Sequence, residues 1–126
     1  MRSGQLSVEF VFIIVFICSV TTIFIILIGN KIADLERDKE YLLLKEAAAM
    51  AQAEVDTAAI TCAGYARDFI LPERIGNAEY NITREANSFV FSTANFVVLF
   101  KIYNVSGMLL PGNNSIKNIG GGVHIN

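Results

Sequence analysis

The chain has 126 residues, 53% of them hydrophobic, with a formal net charge of −2, which leaves room for one small domain beside any membrane segment. That balance lacks the basic patch or stripe of a nucleic-acid-binding protein. The two cysteines, Cys18 and Cys62, make no disulfide framework: on one continuous helix they lie roughly 66 Å apart at about 1.5 Å per residue, and a bridge needs Cα atoms within about 7 Å.

The first element is Phe10–Ile28, FVFIIVFICSVTTIFIILI, nineteen residues without charge, Pro or Gly. Such a run predicts a membrane-embedded helix; at about 1.5 Å per residue it spans roughly 28 Å, close to the hydrocarbon core of about 30 Å. Ile, Val and Thr are mediocre helix formers in water, but in lipid an unpaired backbone group is costly enough to force the helix. A cleaved secretory signal fits less well than an anchor. Its apolar region is shorter and ends in an A-x-A-like site, whereas here Gly29-Asn30-Lys31-Ile32-Ala33-Asp34 follows. Arg2 precedes the segment and Lys31, Arg37 and Lys39 follow it, so basic residues alone set no orientation.

Residues from Lys31 to about Ala63 predict a second helical stretch. KIADLERDKE places Glu36, Glu40, Lys39, Asp34, Asp38 and Arg37 at spacings where opposite charges support a helix. YLLLKEAAAMAQAEVDTAA is dense in strong helix formers. Gly29-Asn30 is the weak point between the two parts, a candidate kink or melted turn. From Leu6 to Ala63 the helix would be roughly 87 Å long. An apolar stripe including Ile32, Leu35, Leu42, Ala49, Val55 and Ala59 marks its outer part. The C-terminal domain is expected to cover its second half.

Gly64 and Pro72 punctuate the end of the helix. Glu79–Thr83, Ser88–Ser92 and Asn95–Tyr103 then read as strands bounded by Asn, Ser and Gly. In the third, Phe96, Val98, Phe100 and Ile102 make one face and Val97, Leu99, Lys101 and Tyr103 the other, the pattern of a central or well-covered strand. Met108-Leu109-Leu110 is a candidate fourth strand before the Pro111-Gly112 turn. The fold class is therefore α+β: a long N-terminal hydrophobic helix followed by a small antiparallel β domain with one sheet face on the helix. A domain this small buries little surface alone, so the helix belongs to its core.

The tail NNSIKNIGGGVHIN reads as a turned surface segment. Gly120-Gly121-Gly122 lacks the context of a phosphate loop. His124 is the only histidine and makes neither a metal site nor a nucleophile–base arrangement. No cofactor is implied and no catalytic constellation is visible. Three N-x-[S/T] sequons, at Asn81, Asn104 and Asn113, all fall in this domain. They are candidate glycosylation sites on an extracytoplasmic surface, and they also fit the plain richness of turns in Asn, Ser and Thr.

The N-terminal Gly4-Gln5-Leu6-Ser7-Val8-Glu9-Phe10 leads directly into the apolar run. It resembles the class III signal peptide of archaeal type IV prepilins: a short leader, then Gln-x-Ser-x-Glu, then a hydrophobic helix. Gln5, Ser7 and Glu9 match the three fixed positions. The resemblance covers roughly the first thirty residues, and the leader carries a single basic residue, Arg2. It implies a type IV pilin-like fold and a structural role in a surface filament for attachment. It also implies cutting between Gly4 and Gln5 by a membrane aspartyl prepilin peptidase, and filament growth driven by a cytoplasmic ATPase and membrane platform. Glu9 would pair with the new N-terminal amine of a neighbouring copy. The precursor would sit in the cytoplasmic membrane with its N-terminus inside, and the mature chain at the cell surface. The organisation then reads 1–4 leader, 5–30 transmembrane and assembly helix, 31–71 amphipathic outer half of the helix, 72–126 small β domain. A minor pilin or pseudopilin of the same fold, and a single-pass anchored surface protein that binds a ligand and never polymerises, are the alternatives. A motility-filament subunit is disfavoured by Glu9, since those usually lack an acid there.

Overall fold

The computed structural model describes residues 2–126; Met1, part of the expected leader, lies outside the described residues. The architecture is α+β: one long helix, α1 (Arg2–Ile60), then a small β domain rich in antiparallel pairing. Two compact units divide the chain, Met1–Arg37 and Asp38–Asn126.

The described residues of the first unit, from Arg2 to Arg37, are all helical. The helix is long and apolar enough to cross a membrane, and none of its most apolar stretch is buried. Phe10, Phe12, Phe16, Ile25 and Leu27 are all exposed. The polar groups of the segment are satisfied inside the helix: Ser19, Thr21 and Thr22 each donate a hydroxyl to the carbonyl four residues back at 2.8 Å. No free hydroxyl is left for an apolar surrounding. Gly29-Asn30 is helical, so no melted turn interrupts α1 there. Among the described residues, no ion pair within 4 Å forms in KIADLERDKE, so the spacing there yields exposed charge rather than bridges.

In the second unit α1 buries Leu44, Ala47, Ala48, Ala51, Val55 and Ala58, a face with helical spacing. The stripe read from the sequence is largely the wrong face. Ile32, Leu35, Leu42, Ala49 and Ala59 are exposed, and only Val55 belongs to the covered side. Alanines decide this, because their small side chains let a helix backbone approach its neighbours closely. The buried face joins one cluster with Phe69, Leu71, Phe89, Phe91, Phe100, Ile116 and Ile125. Stacked and tilted aromatic pairs fill its middle: Tyr80 with Phe91 at 6.2 Å and Phe89 with Phe100 at 5.8 Å.

Seven strands follow: β1 (Ala66–Leu71), β2 (Asn81–Glu85), β3 (Ser88–Ser92), β4 (Val97–Lys101), β5 (Val105–Gly107), β6 (Gly112–Ile119) and β7 (Gly122–Ile125). They form two sheets, not the single sheet expected, in the orders β1-β6-β7-β5 and β2-β3-β4. The β5–β7 pair is parallel. The expected helical stretch 31–71 is corrected at its end. The helix stops at Ile60, Thr61 donates back to the Thr57 carbonyl, and Gly64 takes φ +98. Gly64 N–H then donates to Asn118 O at 2.9 Å. ARDFIL is thereby drawn into a ladder with β6, so the β domain begins at Ala66 and Pro72 closes a strand.

Met108–Leu110 forms no strand; β5 lies just before it. β4 is a sheet edge with Val97 and Leu99 exposed, not a central strand. The tail is also structured. Gly120 and Gly121, at φ +61 and +87, make the two-residue turn of a β6–β7 hairpin, which favours positive φ at both positions.

Candidate functional site

Gly4, Gln5, Ser7 and Glu9 lie on the first turns of α1 and all are exposed. Gln5 and Glu9, four residues apart, share a face, and Ser7 lies toward the opposite side. The bond between Gly4 and Gln5 is helical, and a Cβ at Gly4 would meet nothing within 4 Å. Glu9 is the only acid between Arg2 and Lys31. It heads nineteen uncharged residues whose large side chains are open to whatever surrounds them.

The three sequon asparagines are all exposed, but their settings differ. Asn81 begins the edge strand β2. Asn113 lies within β6, opposite Ile70 of β1. Asn104 adopts φ +52, and its Nδ2 donates to Gly121 O at 3.2 Å. The same short segment receives the Val123 N–H at its carbonyl. Asn104 is thus built into the link between β4 and β5, whereas Asn81 stands free of such a bond.

His124 has a neighbour that sequence reasoning missed. The parallel register sets Ser106 beside His124, and the serine Oγ lies 2.5 Å from imidazole Nδ1. The guanidinium of Arg84 reaches across from the other sheet, donating to Val105 O at 2.6 Å and Gly107 O at 3.1 Å. No sequence pattern announced the cluster, because residues distant along the chain meet only through the parallel β5–β7 pair. Among the described residues, no group of three or more His, Cys, Asp or Glu is arranged to hold a metal ion. Both cysteines are free and exposed.

Away from these positions, one titratable group is clearly perturbed among the described residues. Burial pushes the Tyr80 phenol above its ordinary value, and its hydroxyl donates to the Pro72 carbonyl. Comparison with protein-family models, curated proteins and solved structures finds no match. The structure itself defines an α+β protein whose N-terminal helix is long and apolar enough for a membrane.

Proposed function

We propose that the chain is the structural subunit of an archaeal type IV pilus-like surface filament used in attachment. It is made as a membrane precursor, cut between Gly4 and Gln5 by a prepilin peptidase, and assembled through its N-terminal helix with copies of itself. The observation that carries this reading is the apolar helix Phe10–Ile28, uncovered by its own fold and headed by Gln5, Ser7 and Glu9 at the prepilin spacing.

The physical case starts with exposure. A helix that is apolar all round belongs in lipid or against other helices. Before assembly, lipid covers it. In a filament, the same segment of neighbouring copies covers it instead. Exchanging lipid for helix is roughly neutral, so assembly needs an energy source, which a cytoplasmic ATPase and membrane platform supply. Once outside the membrane, the bundle is held by apolar burial at about 25 cal/mol per Å².

Glu9 provides register. A carboxylate carried into a dry bundle is costly unless a cation meets it, and cutting after Gly4 creates an α-amine four residues away on the same helix. The amine of one copy against Glu9 of the next satisfies both charges, and a copy out of step satisfies neither. Gly4 eases the cut, since glycine costs a helix about 1 kcal/mol relative to alanine and a scissile bond must leave the helix to enter a protease.

N-terminal sequencing of the mature protein tests the reading. A start at Gln5 supports it; a start at Met1 or near Lys31 ends it.

A further inference from the structure

A cavity of about 290 Å³ opens where the β2–β3 hairpin meets the β5–β7 side of the other sheet, lined among others by Arg84, Asn87, Asn104, Ser106 and His124. It carries no Asp or Glu, in a chain with more acids than bases. Arg84 is held at its wall by the carbonyls of Val105 and Gly107. Those two bonds have a structural purpose, covering free carbonyls of the edge strand β5. They occupy two of the five N–H groups of a guanidinium and leave the charge unmet. Arg67 pairs with Glu54 and Arg74 with Glu79, but Arg84 has no carboxylate partner among the described residues.

The other polar groups have the same sense. The Ser106 Oγ lies 2.5 Å from Nδ1 of His124 and its hydroxyl also reaches the Val123 carbonyl at 3.5 Å, so Nδ1 is engaged within the protein and Nε2 is the ring nitrogen left for a ligand. Lys117 stands opposite His124 in the β6–β7 register, hence on the same sheet face, and is exposed. Asn87 adds a side-chain amide at the hairpin turn. An arginine fork and an amide, beside an imidazole and around a space free of acids, favour an acceptor with several charged oxygens.

We propose that this cavity binds an oxyanion group, the carboxylate, sulfate or phosphate of an acidic saccharide or a free inorganic oxyanion. Its volume lies at the lower edge of small-molecule sites, which suits one such group with the remainder of a larger ligand outside. The proposal is independent of the filament reading, because every residue it uses lies in the second unit.

His124 gives a direct probe, being the only histidine in the chain. The full-length protein in neutral detergent micelles is titrated with sodium sulfate at fixed pH, against sodium chloride at matched ionic strength, while the imidazole ring protons are followed by NMR. A second titration uses a soluble uronic-acid oligosaccharide. A saturable shift with either ligand and none with chloride is the expected result. The tighter of the two identifies free ion or saccharide as the source. Arg84→Gln should weaken binding about tenfold or more. Because Arg84 also braces β5, Lys117→Gln serves as a second variant on an exposed side chain; it should weaken binding several-fold with an unchanged circular dichroism spectrum. Shifts that are linear, or equal in sulfate and chloride, overturn the proposal. So does binding that both variants leave unchanged.

Discussion

At Gly107 an added Cβ would sit 1.9 Å from the Ile125 carbonyl oxygen, and the backbone there has φ +96. The clashing atom is main chain of the paired strand β7, so nothing nearby can give way. Gly107→Ala should therefore cost on the order of 3 kcal/mol or more, from positive-φ strain plus the clash, read as a lowered thermal midpoint of the protein in micelles. Ala86 is the reverse case. It takes φ +44 in the β2–β3 turn, where a Cβ is unwelcome and glycine is not. Ala86→Gly should raise stability by about 0.5–1 kcal/mol, the left-handed penalty less the entropy of glycine. Tyr80 contributes a pH dependence. Desolvation holds its phenol above the ordinary value near 10, so in alkali the folded chain keeps a proton that the unfolded chain has released. The stabilisation is complete below about pH 10 and is lost as pH rises through the raised folded value. Tyr80→Phe lacks the group, so the stability gap between wild type and variant should narrow from pH 9 upward, as measured by chemical denaturation at a series of pH values.

β6 holds the β domain together at the level of elements, and it is the element the sequence hid best. Its inward side is Gly112, Asn114, Ile116 and Asn118, all buried, so one residue in four looks like core. Asn118 explains why a polar residue faces in. Its Nδ2 donates to the Ala58 and Thr61 carbonyls at 2.7 and 3.0 Å, and its Oδ1 accepts the Gly121 N–H. It thus caps the end of α1, whose last turn has no basic residue, and ties the β6–β7 turn to it. Asn118→Ala leaves those groups unmet and should cost about 1–3 kcal/mol. Asn118→Asp should cost at least as much, because a carboxylate cannot donate; urea titration of the two variants checks both. Where apolar residues alternate, the sequence was legible. Ser88–Ser92 is β3 to the residue, and β2 and β4 lie within two residues of the expected starts. Where polar residues face inward, or alanines form the packing face, periodicity carried no signal. The same holds for the Ser106–His124 pair, which depends on a parallel register that no local pattern encodes. The spacing of Gln5, Ser7 and Glu9 is linear and needs no tertiary contact to be seen; the structure adds only that these residues are helical and exposed.

At the scale of the whole molecule, the question is what covers Phe10–Ile28. The large side chains of this stretch are nearly all exposed; on the proposed reading lipid covers them before assembly and copies of the chain afterwards, and Glu9 separates that reading from simple anchorage. In lipid a carboxylate near the segment's end is a modest burden that headgroups and water relieve. Glu9→Gln removes that burden, so a chain whose purpose is anchorage should be retained in the membrane fraction at least as well as wild type and keep its surface exposure. In a filament the same carboxylate is enclosed by neighbouring helices and meets the amine of the next copy. Glu9→Gln then leaves a buried amine without its counter-charge, a loss typically of 3–5 kcal/mol when one partner of a buried pair is removed. At about 1.4 kcal/mol per tenfold, that is roughly two to three and a half orders of magnitude in each subunit addition. The expected outcome of the proposed reading is a processed protein, beginning at Gln5, that accumulates in the membrane and yields no fibres in sheared cell-surface fractions. Glu9→Asp restores the charge on a shorter stem and should recover some fibres. Filaments of wild-type abundance from Glu9→Gln would remove the carboxylate from assembly and leave the motif without the role proposed for it.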